Sequence, residues 1–91
     1  MLYLMICPLC SRGAVRPLVT RQGQVILMCD EDGAVWLRPA DVSATDFHSP
    51  SQPDLAFNGG PHLARDTWHW AQPADIARLT DWDLGSFKPA S

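Results

Sequence analysis

Three features of the sequence predict a small α+β domain, with a three-stranded antiparallel sheet followed by a long loop and a short C-terminal helix. Short apolar runs separated by turn clusters fill residues 1–38. A stretch broken repeatedly by Pro and Gly comes next, and a rough helical stripe closes the chain. Ninety-one residues, 46 % of them hydrophobic, suit a single domain, 1–91, with an ordinary globular composition. A chain this short buries only about 60 to 65 % of its unfolded surface, so a metal staple would help it fold.

Leu2 to Ile6 is apolar enough for a buried strand leading into a cysteine turn. Gly13 to Thr20 carries Val15, Leu18 and Val19 but is interrupted by Pro17, which predicts an edge strand. Arg21-Gln22-Gly23-Gln24 is a turn, and Val25 to Met28 reads as a buried strand. Asp30-Glu31-Asp32-Gly33 is a second turn, followed by a strand over Ala34 to Leu37. Strand, turn, strand, turn and strand make a three-stranded meander within residues 1–38.

Residues 39–91 form a loop and helical region, acidic and aromatic in character. Pro39-Ala40-Asp41-Val42 looks like a helix opening, with Pro in the first turn and an acid near the positive end of the dipole. Pro73-Ala74-Asp75-Ile76 repeats the recipe. From Ala74 to about Leu84, Ile76, Ala77, Leu79, Trp82 and Leu84 form a helical stripe, with a frayed tail from Phe87 onward. His48 to His62 is loop-like, punctuated by Pro50, Pro53, Gly59, Gly60 and Pro61.

Charge divides along the chain. Residues 1–40 hold four arginines against three acids, a net +1, whereas residues 41–91 hold three bases against seven aspartates, a net −4. The acidic half would repel phosphate backbones and suit a basic protein partner. The apolar opening is too short for a signal-peptide core, and no run approaches the ~18 apolar residues of a membrane span. A cytoplasmic location is expected, where reduced thiols favour metal binding over disulfides.

The three cysteines carry the chemistry. Cys7-Pro8-Leu9-Cys10 sets two thiols at one tight turn, and Cys29 follows after eighteen intervening residues. Asp32 stands where a second Cys-x-x-Cys would finish, and Gly33 follows it as a glycine able to take positive φ. Cys-x-x-Cys, a hairpin, then Cys-x-x-Asp-Gly resembles the zinc-ribbon (rubredoxin-like) family over about residues 5–37. The resemblance implies zinc on Cys7, Cys10, Cys29 and Asp32, with Asp in place of the fourth Cys. Carboxylate oxygen can ligate Zn²⁺, but structural sites prefer sulfur and imidazole. His48, His62 and His69 are therefore alternative fourth ligands, and a hairpin that has lost its metal is a further alternative. A redox role would need the Cys-x-x-Cys at a helix start in a βαβ setting, which the pattern does not supply.

No nucleophile elbow, phosphate loop or His-Glu-x-x-His occurs, so His62, His69 and Asp66 read as ordinary surface or core residues and an enzyme is not expected. The alternation Trp68-His69-Trp70 would put both indoles on one face of a strand. Most tryptophans in a small protein complete the core. Trp68, Trp70 and Trp82, set among Asp66, Asp75, Asp81 and Asp83, could otherwise form an aromatic centre with an acidic rim for binding a basic protein. In size and charge the chain resembles bacterial contact-dependent growth inhibition immunity proteins, which implies a small acidic protein that neutralises a basic toxin domain by direct binding. Two alternatives stand beside that expectation. One is a nucleic-acid-associated zinc ribbon using Arg12, Arg16, Arg21 and Arg38, and the other is a small thiol- or metal-handling protein using Cys7 and Cys10.

Overall fold

The hairpin that organises the molecule joins β3 (Ala14–Thr20) to β4 (Val25–Cys29), in register from Val15 opposite Cys29 to Val19 opposite Val25. The computed structural model describes residues 2–21, 23–47 and 68–89. Thr20 closes the hairpin: its amide donates to the Gln24 carbonyl at 2.8 Å, and its carbonyl accepts from Gly23, which has φ 85°. A left-handed residue there suits glycine.

Five further strands complete the sheets around it. β1 (Leu2–Tyr3) pairs with β7 (Lys88–Pro89), and β2 (Met5–Ile6) pairs with one end of β3. β5 (Val35–Trp36) pairs with β4, while β6 (Trp68–Trp70) pairs with the other end of β3. All pairings are antiparallel, and the helix α1 spans Pro73–Ala77. The chain is thus a small α+β protein, with β3 at the middle of a five-stranded sheet.

Several expectations are corrected here. Pro17 does not make β3 an edge strand. Its carbonyl accepts from Ala71 at 2.9 Å, so its nitrogen also faces the side where β2, paired at Ala14 and Val15, gives way to β6, paired from Leu18. A missing N–H there breaks no bond to β4 on the other side. The N-terminal run is not a buried strand either: it is split at Leu4, with Met5 40 % and Ile6 55 % exposed. The segment at Pro39 makes only a 3-10 turn, Pro39–Asp41, and the C-terminal helix stops at Ala77 rather than near Leu84. Phe87 is not frayed, because it is buried and stacks on Trp82 at 6.0 Å between ring centroids. That contact fixes the chain where β7 begins. The 48–62 loop lies outside the described residues.

β4 is buried at all five positions because the sheet is covered on both faces. On one face Val15, Val19, Val25, Leu27, Cys29 and Trp36 pack with Ala71, Ile76 and Phe87. On the other, Leu18, Ile26, Met28 and Val35 pack with Leu37, Trp68 and Trp70. Trp36 is fully buried and its indole N–H donates to the Ser43 carbonyl at 3.1 Å, so its polar edge is satisfied. No helix among the described residues is long and apolar enough to cross a membrane.

Candidate metal centre

Two turns meet at the end of the β3–β4 hairpin, and they are built alike. In the first, the Cys7 carbonyl accepts from the Ser11 amide at 3.0 Å; in the second, the Cys29 carbonyl accepts from Gly33 at 3.2 Å. Both donors lie four residues past the leading cysteine, and both are left-handed, with φ 58° at Ser11 and 79° at Gly33. The amide two residues past each leading cysteine points at its sulfur, Leu9 to Cys7 Sγ and Glu31 to Cys29 Sγ, each at 3.4 Å. Cys10 and Asp32 therefore occupy equivalent places, each third after its leading cysteine. The loop sequences Cys-Pro-Leu-Cys-Ser and Cys-Asp-Glu-Asp-Gly fold to one geometry because each supplies a residue that can enter the left-handed region.

One ligand atom from each of Cys7, Cys10, Cys29 and Asp32 lies within 4.8 Å of the other three. Cys10 Sγ and Cys29 Sγ are 3.7 Å apart, and Cys7 Sγ is 3.6 Å from Asp32 Oδ2. A tetrahedral ion with metal–sulfur bonds of about 2.3 Å and a metal–oxygen bond of about 2.1 Å has S–S edges of about 3.8 Å and S–O edges of about 3.6 Å. Both edges match. The four residues lie close enough to bind one metal ion.

Backbone amides prepare the corner for negative charge. Gly13 donates to Cys10 Sγ at 3.4 Å, and Asp32 adds a second amide to Cys29 Sγ at 3.5 Å. The amides of Gly13 and then Arg12 hold the Cys10 thiol below its ordinary pKa. Burial has the opposite effect on Cys29, which is pushed up to about 12 against the pull of the Asp32 and Glu31 amides. Burial would raise Asp32, but the Ala34 amide on Oδ1 at 2.9 Å, with the three thiols, lowers it overall. The carboxylate is thus ionised at neutral pH, whereas Cys29 must lose its proton to serve as a ligand.

The placement of Gly13 was not signalled by the cysteine spacing. A Cβ there would lie 2.5 Å from Glu31 Cβ, 2.7 Å from Cys29 Sγ and 2.9 Å from Asp30 Oδ1. Gly13 is where the two turns touch. Asp30 was likewise read only as part of a turn; its Oδ1 accepts the Ala14 amide at 2.9 Å and its Oδ2 lies 4.0 Å from Arg16. Arg16 in turn lies over the Trp70 ring, 3.9 Å from its centroid. A Gly shortly after Cys-x-x-Cys is the only sequence trace of this contact.

The histidine alternatives separate. His69 sits exposed on β6 opposite Val19 and is not among the clustered ligand atoms, while His48 and His62 lie outside the described residues. So does Asp66. Trp68 and Trp70 do share one face, edge to face at 4.9 Å, and both are half-buried. Trp82 packs with the opposite core cluster, so the three indoles do not share one face of the sheet. Asp75 Oδ2 accepts the Gln72 amide at the start of α1, and Asp83 Oδ1 accepts the Gly85 amide in the 3-10 turn Leu84–Ser86. Asp81 is exposed. Against protein-family models, curated proteins and solved structures, the chain finds no match.

Proposed function

We propose that the chain is a non-enzymatic protein-binding module whose N-terminal third is a zinc-ribbon-like unit, with zinc held by Cys7, Cys10, Cys29 and Asp32. The observation that carries the reading is the four-cornered cluster, all within 4.8 Å, with two opposite edges of 3.6 and 3.7 Å that suit a tetrahedral ion. Three sulfurs exclude a magnesium or calcium site, which takes oxygen ligands, and sulfur-rich tetrahedral sites favour zinc. Four protein ligands, three of them sulfurs, match the donor number of a structural rather than a catalytic zinc site.

The partner we assign is a basic protein, met by the acidic C-terminal part of the chain in the cytoplasm. Within that class the reading is an immunity or antitoxin-type protein that covers a toxin domain. Opposite charge would speed association, and half-buried indoles offer area for contact. The nucleic-acid alternative is weakened because Arg16 is engaged by Trp70 and Asp30, and Arg38 pairs with Asp41 at 3.3 Å.

Elemental analysis of the purified chain tests the first half: ~one zinc per chain is expected, and metal-free protein with three freely reactive thiols would remove it. If a basic toxin domain is encoded beside the gene, co-expression with it tests the second half. Growth should be restored, and Asp81→Lys with Asp83→Lys, two exposed carboxylates of the acidic rim, should weaken the complex far more than they lower the thermal midpoint. Binding that survives this double reversal would sink the acidic-surface reading.

A further inference from the structure

The fourth corner differs from the other three in both chemistry and access. Cys7 and Cys29 are each 1 % exposed and Cys10 is half-buried, but Asp32 is exposed. It also offers a hard oxygen to an ion held by three soft sulfurs, where zinc prefers sulfur or imidazole to a carboxylate. Asp32 has a second attachment that does not depend on metal, the Ala34 amide on Oδ1. A carboxylate that lets go of the ion stays tethered and hydrogen-bonded. Each sulfur keeps its own backbone amide meanwhile, so the three-thiolate base of the site survives the departure.

Resting on the zinc reading above, we infer that the Asp32 corner is an exchange position at which a small-molecule thiol enters as the fourth ligand. The metal–oxygen bond to Asp32 breaks and a metal–sulfur bond forms. The thiol's proton passes to solvent, and no electrons are transferred. A carboxylate or phosphate would only replace one oxygen with another, and of the two donors zinc prefers, sulfur and imidazole, only a thiolate also restores the negative charge that leaves with Asp32, so the ligand class that gains from the exchange is a thiolate. Asp32 is exposed and can admit it, whereas the buried Cys7 and Cys29 sulfurs are not available for displacement.

Cobalt(II) reports this directly, because its sulfur-to-metal absorption grows with the number of thiolates bound. The full chain loaded with Co²⁺ should show a three-thiolate tetrahedral spectrum. Titration with glutathione should raise the charge-transfer band about 1.3-fold, one thiolate joining three, with tetrahedral bands retained. Asp32→Cys should begin at the higher intensity and not respond, and Asp32→Asn should respond at lower glutathione than wild type. A wild-type spectrum that stays at three thiolates through millimolar glutathione overturns the inference and leaves the metal centre standing. So does loss of all bands as the metal is stripped. If Co²⁺ gives no charge-transfer band before any thiol is added, the metal reading itself fails and the exchange position with it.

Discussion

Gly13 shows how much a single missing methyl group decides. Its hydrogen occupies the space between the two ligand turns, where a Cβ would press on Glu31 Cβ at 2.5 Å and Cys29 Sγ at 2.7 Å. Neither neighbour can retreat cheaply, since Cys29 is buried and Glu31 follows directly after the Asp30 link to β3. Gly13→Ala should therefore push Cys29 off its corner, costing roughly 10- to 100-fold in metal affinity, as loss of a supporting contact does. Competition with a chromophoric chelator would measure it; unchanged affinity would mean that the turns can separate freely. The four clustered residues themselves were legible from the spacing Cys-x-x-Cys and Cys-x-x-Asp-Gly, because two such turns closed by one hairpin bring their side chains to one corner. Gly13 was not, because its role depends on a contact between turns far apart in sequence.

At the scale of elements, short segments are held by local devices as much as by packing. α1 has five residues, too few to persist alone, and Asp75 accepts the Gln72 amide at 2.8 Å while pairing with Arg78 at 3.5 Å. Asp75→Ala should cost about 1 kcal/mol, the usual worth of such a cap, read as a lower urea midpoint. Ala has the higher intrinsic helix propensity, so a loss in this variant comes from the cap and not from propensity; an unchanged or higher midpoint would deny the cap its role. The same reasoning explains what the sequence showed and hid. Runs such as Val25 to Met28 declare a strand by composition, and the Pro-Ala-Asp openings declare a turn of helix. Pro17 misled because proline forbids one hydrogen bond, not a central place, and here that bond falls in the gap between β2 and β6. The extent of the helix stripe was overread because Trp82 is drawn to Phe87, which bends the chain into a second turn instead.

For the whole molecule, the metal corner and the main core are one body: Cys7 and Cys29 belong to the same buried cluster as Val15, Leu27 and Trp36. Binding a structural zinc is worth about 10–16 kcal/mol in small metal-folded peptides, comparable with the entire stability of a small domain. Chelation should therefore lower the thermal midpoint strongly, and pH should separate the two forms. In the metal-free protein Cys29 titrates at about 12 against an ordinary 9.0, because burial disfavours its thiolate. Between those values the folded state holds a proton that the unfolded chain has lost. Stability is accordingly intact below pH 9 and falls as pH rises toward 12, at up to about 1.4 kcal/mol per pH unit. With zinc bound, Cys29 is already a thiolate and has no proton to retain, so that decline should vanish. Urea midpoints measured from pH 8 to 10.5, with and without zinc, would decide it. A steeper decline in the metal-free protein places Cys29 on the ion, whereas parallel curves would mean that the fold does not depend on metal at this corner.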